Sequence, residues 1–230
     1  MGSLVELLSK TELFGGLSSD EIAACAGLFR DVKFAKGQSL FMRGEPANSL
    51  YLVANGRVRI AIVTDDGREL SFRHTMVGEI FGEIGVLDGG VRTADATALT
   101  AVGAYRLEQG DFRRLWSKRP LVAERLIAFL CRRLRETSYQ LESIALHPLH
   151  VRLARFLLVA IGDRKPSPGK RIPVDLSMSQ NEIALLLGAS RPKINEALGT
   201  LEKSGAIGRT IDRIFCDPAK LLEIARPSHA

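Results

Sequence analysis

Residues 121–147 contain neither glycine nor proline, and Pro120 and Pro148 bracket them. Such a run predicts one long helix, from about Leu121 to Leu146, because proline is tolerated at a helix start and disfavours helix in the residue before it. Ile127, Leu130, Leu134, Thr137, Leu141 and Ile144 step along it by threes and fours, a heptad stripe. A stripe this narrow suits the pairing of two long helices; the alternative is one helix packing on its own domain. Thr137 is its one polar member, and a tolerated register residue is the plain reading of it.

The pattern before this helix is different. Val5 to Leu28 carries apolar residues at helical spacing, broken at Phe14-Gly15-Gly16, and predicts two short helices. The second is expected to be capped by Ser19, or by Ser18 with Glu21 completing a capping box. From Val32 to Leu107 short alternating or apolar runs are punctuated by glycine. Leu50–Val53, Val58–Val63 and Leu70–His74 read as strands joined by Asn55-Gly56 and Asp65-Asp66-Gly67 turns, which predicts a small antiparallel barrel. His74 has no second ligand-type residue near it in sequence, so neither a metal nor a haem site is expected.

Within this barrel lies Phe81 to Ala96, FGEIGVLDGGVRTADA. Gly82 lets backbone approach an anion, and the Glu83–Leu87 run that follows can wind into a short helix whose first N–H groups meet it. Arg92 supplies forked cationic donors for phosphate oxygens; Glu83, acceptor-only, suits ribose hydroxyls and could hold Arg92 in place. By spacing alone, a glycine turn beside a surface Glu/Arg pair is an equal reading.

After Pro148, Leu149, Leu153, Phe156, Leu157 and Ala160 form a helix face, and Gly162 to Pro173 is a Pro/Gly/Lys-rich loop. Ser179 and Glu182 make a capping box for a helix to Leu187, and Gly188-Ala189-Ser190 turns into a second helix, Arg191 to Lys203, which Ser190 caps. Ile183, Ala184 and Leu187 face Ile194, Ala197, Leu198 and Leu201. Segments 207–210 and 213–216, turning around Asp212, read as a two-stranded wing. Together they predict a winged helix-turn-helix, with Arg191, Lys193, Asn195 and Glu196 on the polar side of its second helix. Arg can read guanine, Asn adenine and Glu the cytosine amino group. Ser177, Gln180, Lys193, Arg209 and Arg213 are candidates for phosphate contacts, and Ser190 is a further DNA-binding candidate.

Charge distribution agrees with a polyanion partner for this last third. From His147 onward there are 13 Lys/Arg against 8 Asp/Glu, whereas the rest has 19 against 18. Three cysteines lie far apart without C-x-x-C spacing, and no leading apolar run suggests export, so a cytoplasmic location is expected. No apolar stretch approaches the roughly 20 residues of a membrane span, and no membrane partner is expected. No Ser/His/Asp set, metal cluster or paired carboxylates stand out, so the chain is not expected to be an enzyme.

The F-G-E-I-G run followed by R-T-A resembles the phosphate-binding cassette of cyclic-nucleotide-binding domains. The order of elements resembles, over almost the whole chain, the cyclic-AMP receptor protein and fumarate-nitrate regulator family of transcription factors. The resemblance implies an α+β fold: a cyclic-nucleotide-binding β-roll (1–118), a dimerisation helix and hinge (119–146), and a winged helix-turn-helix (147–230). It implies ligand contacts from Gly82, Glu83, Ile84, Arg92, Thr93 and Ala94, and from Thr137 and Ser138, which match the Thr-Ser pair closing the site from the dimer helix. Its iron-sulfur branch needs clustered cysteines that this chain lacks. The family's reader S-R-E-T-V-G-R is S-R-P-K-I-N-E here: Pro192 replaces its Glu and Glu196 its second Arg, so the family operator does not transfer.

The expected function is a cyclic-nucleotide-dependent homodimer binding palindromic double-stranded DNA, with cyclic AMP as effector and RNA polymerase as a further partner. Cyclic GMP is the alternative effector, because Thr93 beside Arg92 favours guanine in some relatives of this domain. A ligand-independent regulator with a structural barrel is the competing class.

Overall fold

The computed structural model describes residues 3–162, 164, 171–174, 178–210 and 213–226. Ser177, Asp212 and most of the loop expected before Pro173 lie outside these residues. Two compact units divide at Thr137/Ser138, inside the long helix.

The first unit opens with α1 (Leu4–Ser9) and α2 (Ser19–Ala26). The cap of α2 is Ser18, not Ser19: its Oγ accepts from Glu21 N while Glu21 receives the Ser18 N–H, satisfying two otherwise orphaned donors. Eight antiparallel strands follow: β1 (Arg30–Phe34), β2 (Ser39–Phe41), β3 (Ser49–Asn55), β4 (Val58–Val63), β5 (Glu69–Thr75), β6 (Ile80–Phe81), β7 (Asp95–Ala98) and β8 (Val102–Glu108). They form two four-stranded sheets, β1-β8-β3-β6 and β2-β7-β4-β5, with α3 (Glu83–Asp88) between β6 and β7.

Period-two alternation puts β3 between two cores. Tyr51 and Val53 join Phe41, Val58, Phe81, Ala96 and Ala104 in the cluster between the sheets. Leu50 and Leu52 point the other way, into a second cluster built with Leu8, Phe14, Ile22, Val86, Phe112 and Phe129. That outer cluster is where α1, α2, α3, α4 (Gln109–Lys118) and the start of α5 (Pro120–Leu146) cover the sheet.

Helix α5 has two distinct stripes. Val122, Leu126 and Phe129, at i, i+4 and i+7, are its buried residues. Of the heptad stripe, Ile127 is 64%, Leu134 68% and Leu141 68% exposed in the single chain, whereas Leu130 packs against the outer cluster and Ile144 is half-buried.

The second unit comprises the end of α5, α6 (Leu149–Ile161), β9 (Ile172–Val174), α7 (Gln180–Leu186), α8 (Arg191–Lys203), β10 (Ile207–Arg209), β11 (Ile214–Cys216) and α9 (Pro218–Ala225). Its core joins Leu153, Leu157 and Ile161 of α6 to Ile183, Ile194, Leu198, Leu201 and Leu221. The wing has three strands, β10-β11-β9, not two: Ile172–Val174, expected to lie in the loop and its exit, pairs antiparallel with Ile214–Cys216.

Candidate functional site

The cassette folds around Gly82. It is the N-cap of α3 with φ +79°, a left-handed conformation that side chains resist. A Cβ there would lie 2.8 Å from Arg92 Nη1 and 3.3 Å from the Phe41 ring. Glycine is therefore required twice over, by backbone and by space.

Arg92 is buried, at 5% exposure. Its Nη1 donates to Gly82 O at 2.9 Å, its Nη2 reaches Ser49 Oγ at 3.5 Å, and its Nε has no hydrogen-bond partner among the described residues. The guanidinium carbon sits 4.0 Å from the Phe41 ring centroid and 5.9 Å from that of Tyr51. Tyr51 in turn stacks on Phe81, with centroids 5.3 Å apart. Burial pulls the Arg92 pKa down, opposed by the nearby carboxylates of Glu45 and Glu83. Glu83 is buried too, at 6%. The expectation that Glu83 grips Arg92 is corrected: no ion pair joins them among the described residues, and Glu83 acts only as a nearby negative charge. A cation desolvated against aromatic rings, with only neutral acceptors, is electrostatically incomplete.

Around this pair, Ala94 is buried while Ile84 and Thr93 are exposed. Loop 42–45 is tied over the arginine's backbone: Gly44 N donates to Arg92 O at 2.9 Å and Arg92 N to Glu45 O at 2.8 Å. Thr137 and Ser138 are exposed on α5, and Thr137 Oγ1 is occupied by the Arg133 carbonyl one turn back, at 3.0 Å. Phe41, Ser49 and Tyr51 were not anticipated. Inward alternation along β3 flags Tyr51, but nothing local marks Ser49, which lies 43 residues from its partner.

Helices α7 and α8 meet as a helix-turn-helix. The capping box of α7 is present, with Ser179 N donating to Glu182 Oε2 at 2.7 Å, and Ala189 N closes the turn on Ala184 O at 2.9 Å. Ser190 is the N-cap residue of α8, but its hydroxyl makes no capping hydrogen bond, contrary to expectation. Ile194, Ala197, Leu198 and Leu201 are buried while Arg191, Lys193, Asn195 and Glu196 are exposed together on the opposite side. Pro192 in the first turn forfeits no intrahelical bond. Arg213 is exposed just before β11, and Gln180 is half-buried at the start of α7. Arg209 is paired with Glu202 of α8, which raises the arginine's pKa and lowers the glutamate's.

A roll with a buried, incompletely paired arginine behind a left-handed glycine, on a chain that also carries a winged helix-turn-helix, defines a ligand-binding transcription regulator. Residues 31–119 match the cyclic nucleotide-binding domain model and residues 151–224 the Crp-like helix-turn-helix domain model. The chain is 32% identical over 224 residues to the CRP-like cAMP-activated global transcriptional regulator of Mycobacterium tuberculosis, covering 96% of this chain and 99% of that one. It is 31% identical to the cyclic AMP receptor protein of Thermus thermophilus, covering 92% and 94%. Among solved structures, the Thermus thermophilus catabolite activator protein is similar at 30% identity and TM-score 0.55, covering 94% of this chain and 98% of that one. A CooA variant from Carboxydothermus hydrogenoformans shares the fold at 23% identity and TM-score 0.77, covering 98% and 96%. The chain belongs to the cyclic-AMP receptor protein and fumarate-nitrate regulator family, whose members are DNA-binding transcription regulators rather than enzymes. Among the described residues no helix is long and apolar enough to cross a membrane.

Proposed function

We propose that the chain is a homodimeric, cyclic-AMP-responsive regulator of transcription. The observation that carries this is Arg92: a buried guanidinium whose Nε has no partner among the described residues, behind a glycine that cannot be replaced without meeting it. A cyclic phosphate would supply the missing counter-charge, Glu83 would accept from the ribose hydroxyl, and Gly82, Ile84, Thr93 and Ala94 would complete the cradle. Cyclic AMP is favoured over cyclic GMP because relatives aligned over nearly the whole chain are named for it. Thr137 and Ser138 would meet the base from α5.

Dimerisation is supported by the exposed Ile127–Leu134–Leu141 stripe, which α5 does not use against its own roll. The dimer would place two α8 helices in successive major grooves, with Arg191, Asn195 and Glu196 toward base edges and Gln180, Ser190, Lys193, Arg209 and Arg213 toward the sugar-phosphate backbone. Operator binding in the cytoplasm would then present the dimer to RNA polymerase. Side-by-side calorimetric titration with cyclic AMP and cyclic GMP tests the effector. Saturable cyclic AMP binding at one site per chain is expected, with a narrower gap between the two nucleotides in Thr137→Ala. Tighter binding of cyclic GMP would overturn the assignment, and an unchanged gap in the variant would remove Thr137 from base recognition.

A further inference from the structure

Within the second unit, the last turns of α5, one side of α6 and the end of α7 line a cavity of about 450 Å³. That size is in the range of small-molecule sites. Ile144, Phe156, Val159 and Leu186 give it apolar walls, and Val159 stands 81% exposed. Two arginines enter the lining from α6, Arg152 and Arg155, against one carboxylate, Glu142. That carboxylate already has a neighbour in His147, whose Nε2 is 3.7 Å away.

Neither arginine is paired with an acid among the described residues. Arg152 donates through Nη1 to the Leu187 carbonyl, while its Nε is buried without a hydrogen-bond partner among the described residues. Arg155 Nε donates to the Ala225 carbonyl at 3.1 Å. Burial pulls the Arg152 pKa down, which is the direction expected of a desolvated cation lacking an anion. A planar guanidinium matches a carboxylate in geometry as well as charge. The apolar walls disfavour sugars and polyphosphates, whose hydroxyls and charges would lose solvation there.

We propose that this cavity is a second ligand site, separate from the cassette, for a small apolar monocarboxylate. Its carboxylate pairs with Arg152 and Arg155, and its hydrocarbon body lies on Phe156, Val159 and Leu186. Such a ligand touches the end of α5 and the helix that carries the turn into α8, so it would favour whichever arrangement of those elements keeps the cavity formed.

The test is calorimetric titration of the full chain with octanoate, using octanol as the uncharged match. Saturable octanoate binding at one site per chain is expected, with octanol at least about tenfold weaker for lack of the charge-assisted hydrogen bonds. Val159→Glu, at an exposed position that the core does not use, should weaken octanoate at least about tenfold by like-charge repulsion, whereas Val159→Lys should not. Neither variant should change cyclic AMP affinity, so failure here leaves the cassette reading standing. The proposal is overturned if octanoate shows no saturable binding, if octanol binds equally well, or if Val159→Glu leaves octanoate affinity unchanged. It is also overturned if octanoate fails to bind and Val159→Glu changes the sedimentation behaviour, which would assign this face to a second copy of the chain.

Discussion

Arg92 donates through Nη1 to the carbonyl of Gly82 at 2.9 Å, and the Cβ that Gly82 lacks would stand 2.8 Å from that same nitrogen. The bond that orients the guanidinium thus exists only because residue 82 has no side chain. The consequence is a local cost, a buried cation held by neutral groups, which an anionic ligand would offset.

Gly82→Ala should therefore damage fold and site together. The left-handed backbone alone costs about 1–2 kcal/mol for a non-glycine residue. Urea unfolding should show at least that loss, and cyclic nucleotide affinity should fall as the methyl displaces Arg92. Wild-type stability and affinity in this variant would contradict the geometry.

Leu134→Glu should leave each chain folded, because Leu134 is 68% exposed and belongs to none of the core clusters. In a paired helix the same change buries a charge without a partner, costing the dimer about 3 kcal/mol or more. Sedimentation velocity should report monomers; an undisturbed dimer would move the interface away from this stripe.

On DNA, Arg191→Ala should relax preference at one base pair per half-site by about 1–3 kcal/mol. Arg213→Ala should weaken all sequences alike and lower the salt slope by about one. Binding-site selection followed by affinity measurements across salt concentrations separates the two. Non-palindromic selected sites would count against a two-fold symmetric reader.

The Glu202–Arg209 pair gives a pH dependence with a definite sign. Hydrogen bonding and charge from Arg209 lower the Glu202 pKa below 4.5. A depressed folded-state pKa adds stability that is present above the unfolded value and is lost as pH falls through the folded one. Both side chains are about a third exposed, so solvent screening limits the pair to about 0.3–1 kcal/mol. Glu202→Gln should cost this much at neutral pH and progressively less in acid, as pH falls through the folded-state pKa. An equal difference at neutral and acid pH would mean that the carboxylate charge is not what stabilises the wing.

Much of this architecture was legible because each element carries its own local signal. Leu50–Val53 alternates between two cores, the Ser179/Glu182 box announces α7, and the run without glycine or proline is α5. Strand β9 escaped because Pro173 reads as a breaker inside Ile172–Val174. It lies at the edge of the sheet, where a missing N–H does no harm. The Arg92 environment escaped for another reason. Gly82 and Arg92 fall within one segment, but Phe41, Ser49 and Tyr51 are brought there by sheet pairing, and only the folded register shows that Ser49 rather than Glu83 receives the guanidinium.

Under the proposed function, filling the cassette changes DNA binding, and that effect should depend on Arg92. Operator affinity should be measured, on a site obtained by selection, with and without saturating cyclic AMP, in the wild type and in Arg92→Ala. Removing the guanidinium should cost nucleotide binding about 2–4 kcal/mol, because the cyclic phosphate loses its charge-assisted hydrogen bonds. Cyclic AMP should raise operator affinity in the wild type and have no effect at the same concentration in Arg92→Ala. Equal operator affinity with and without nucleotide in the wild type would contradict it, and would make the roll a scaffold for dimerisation alone.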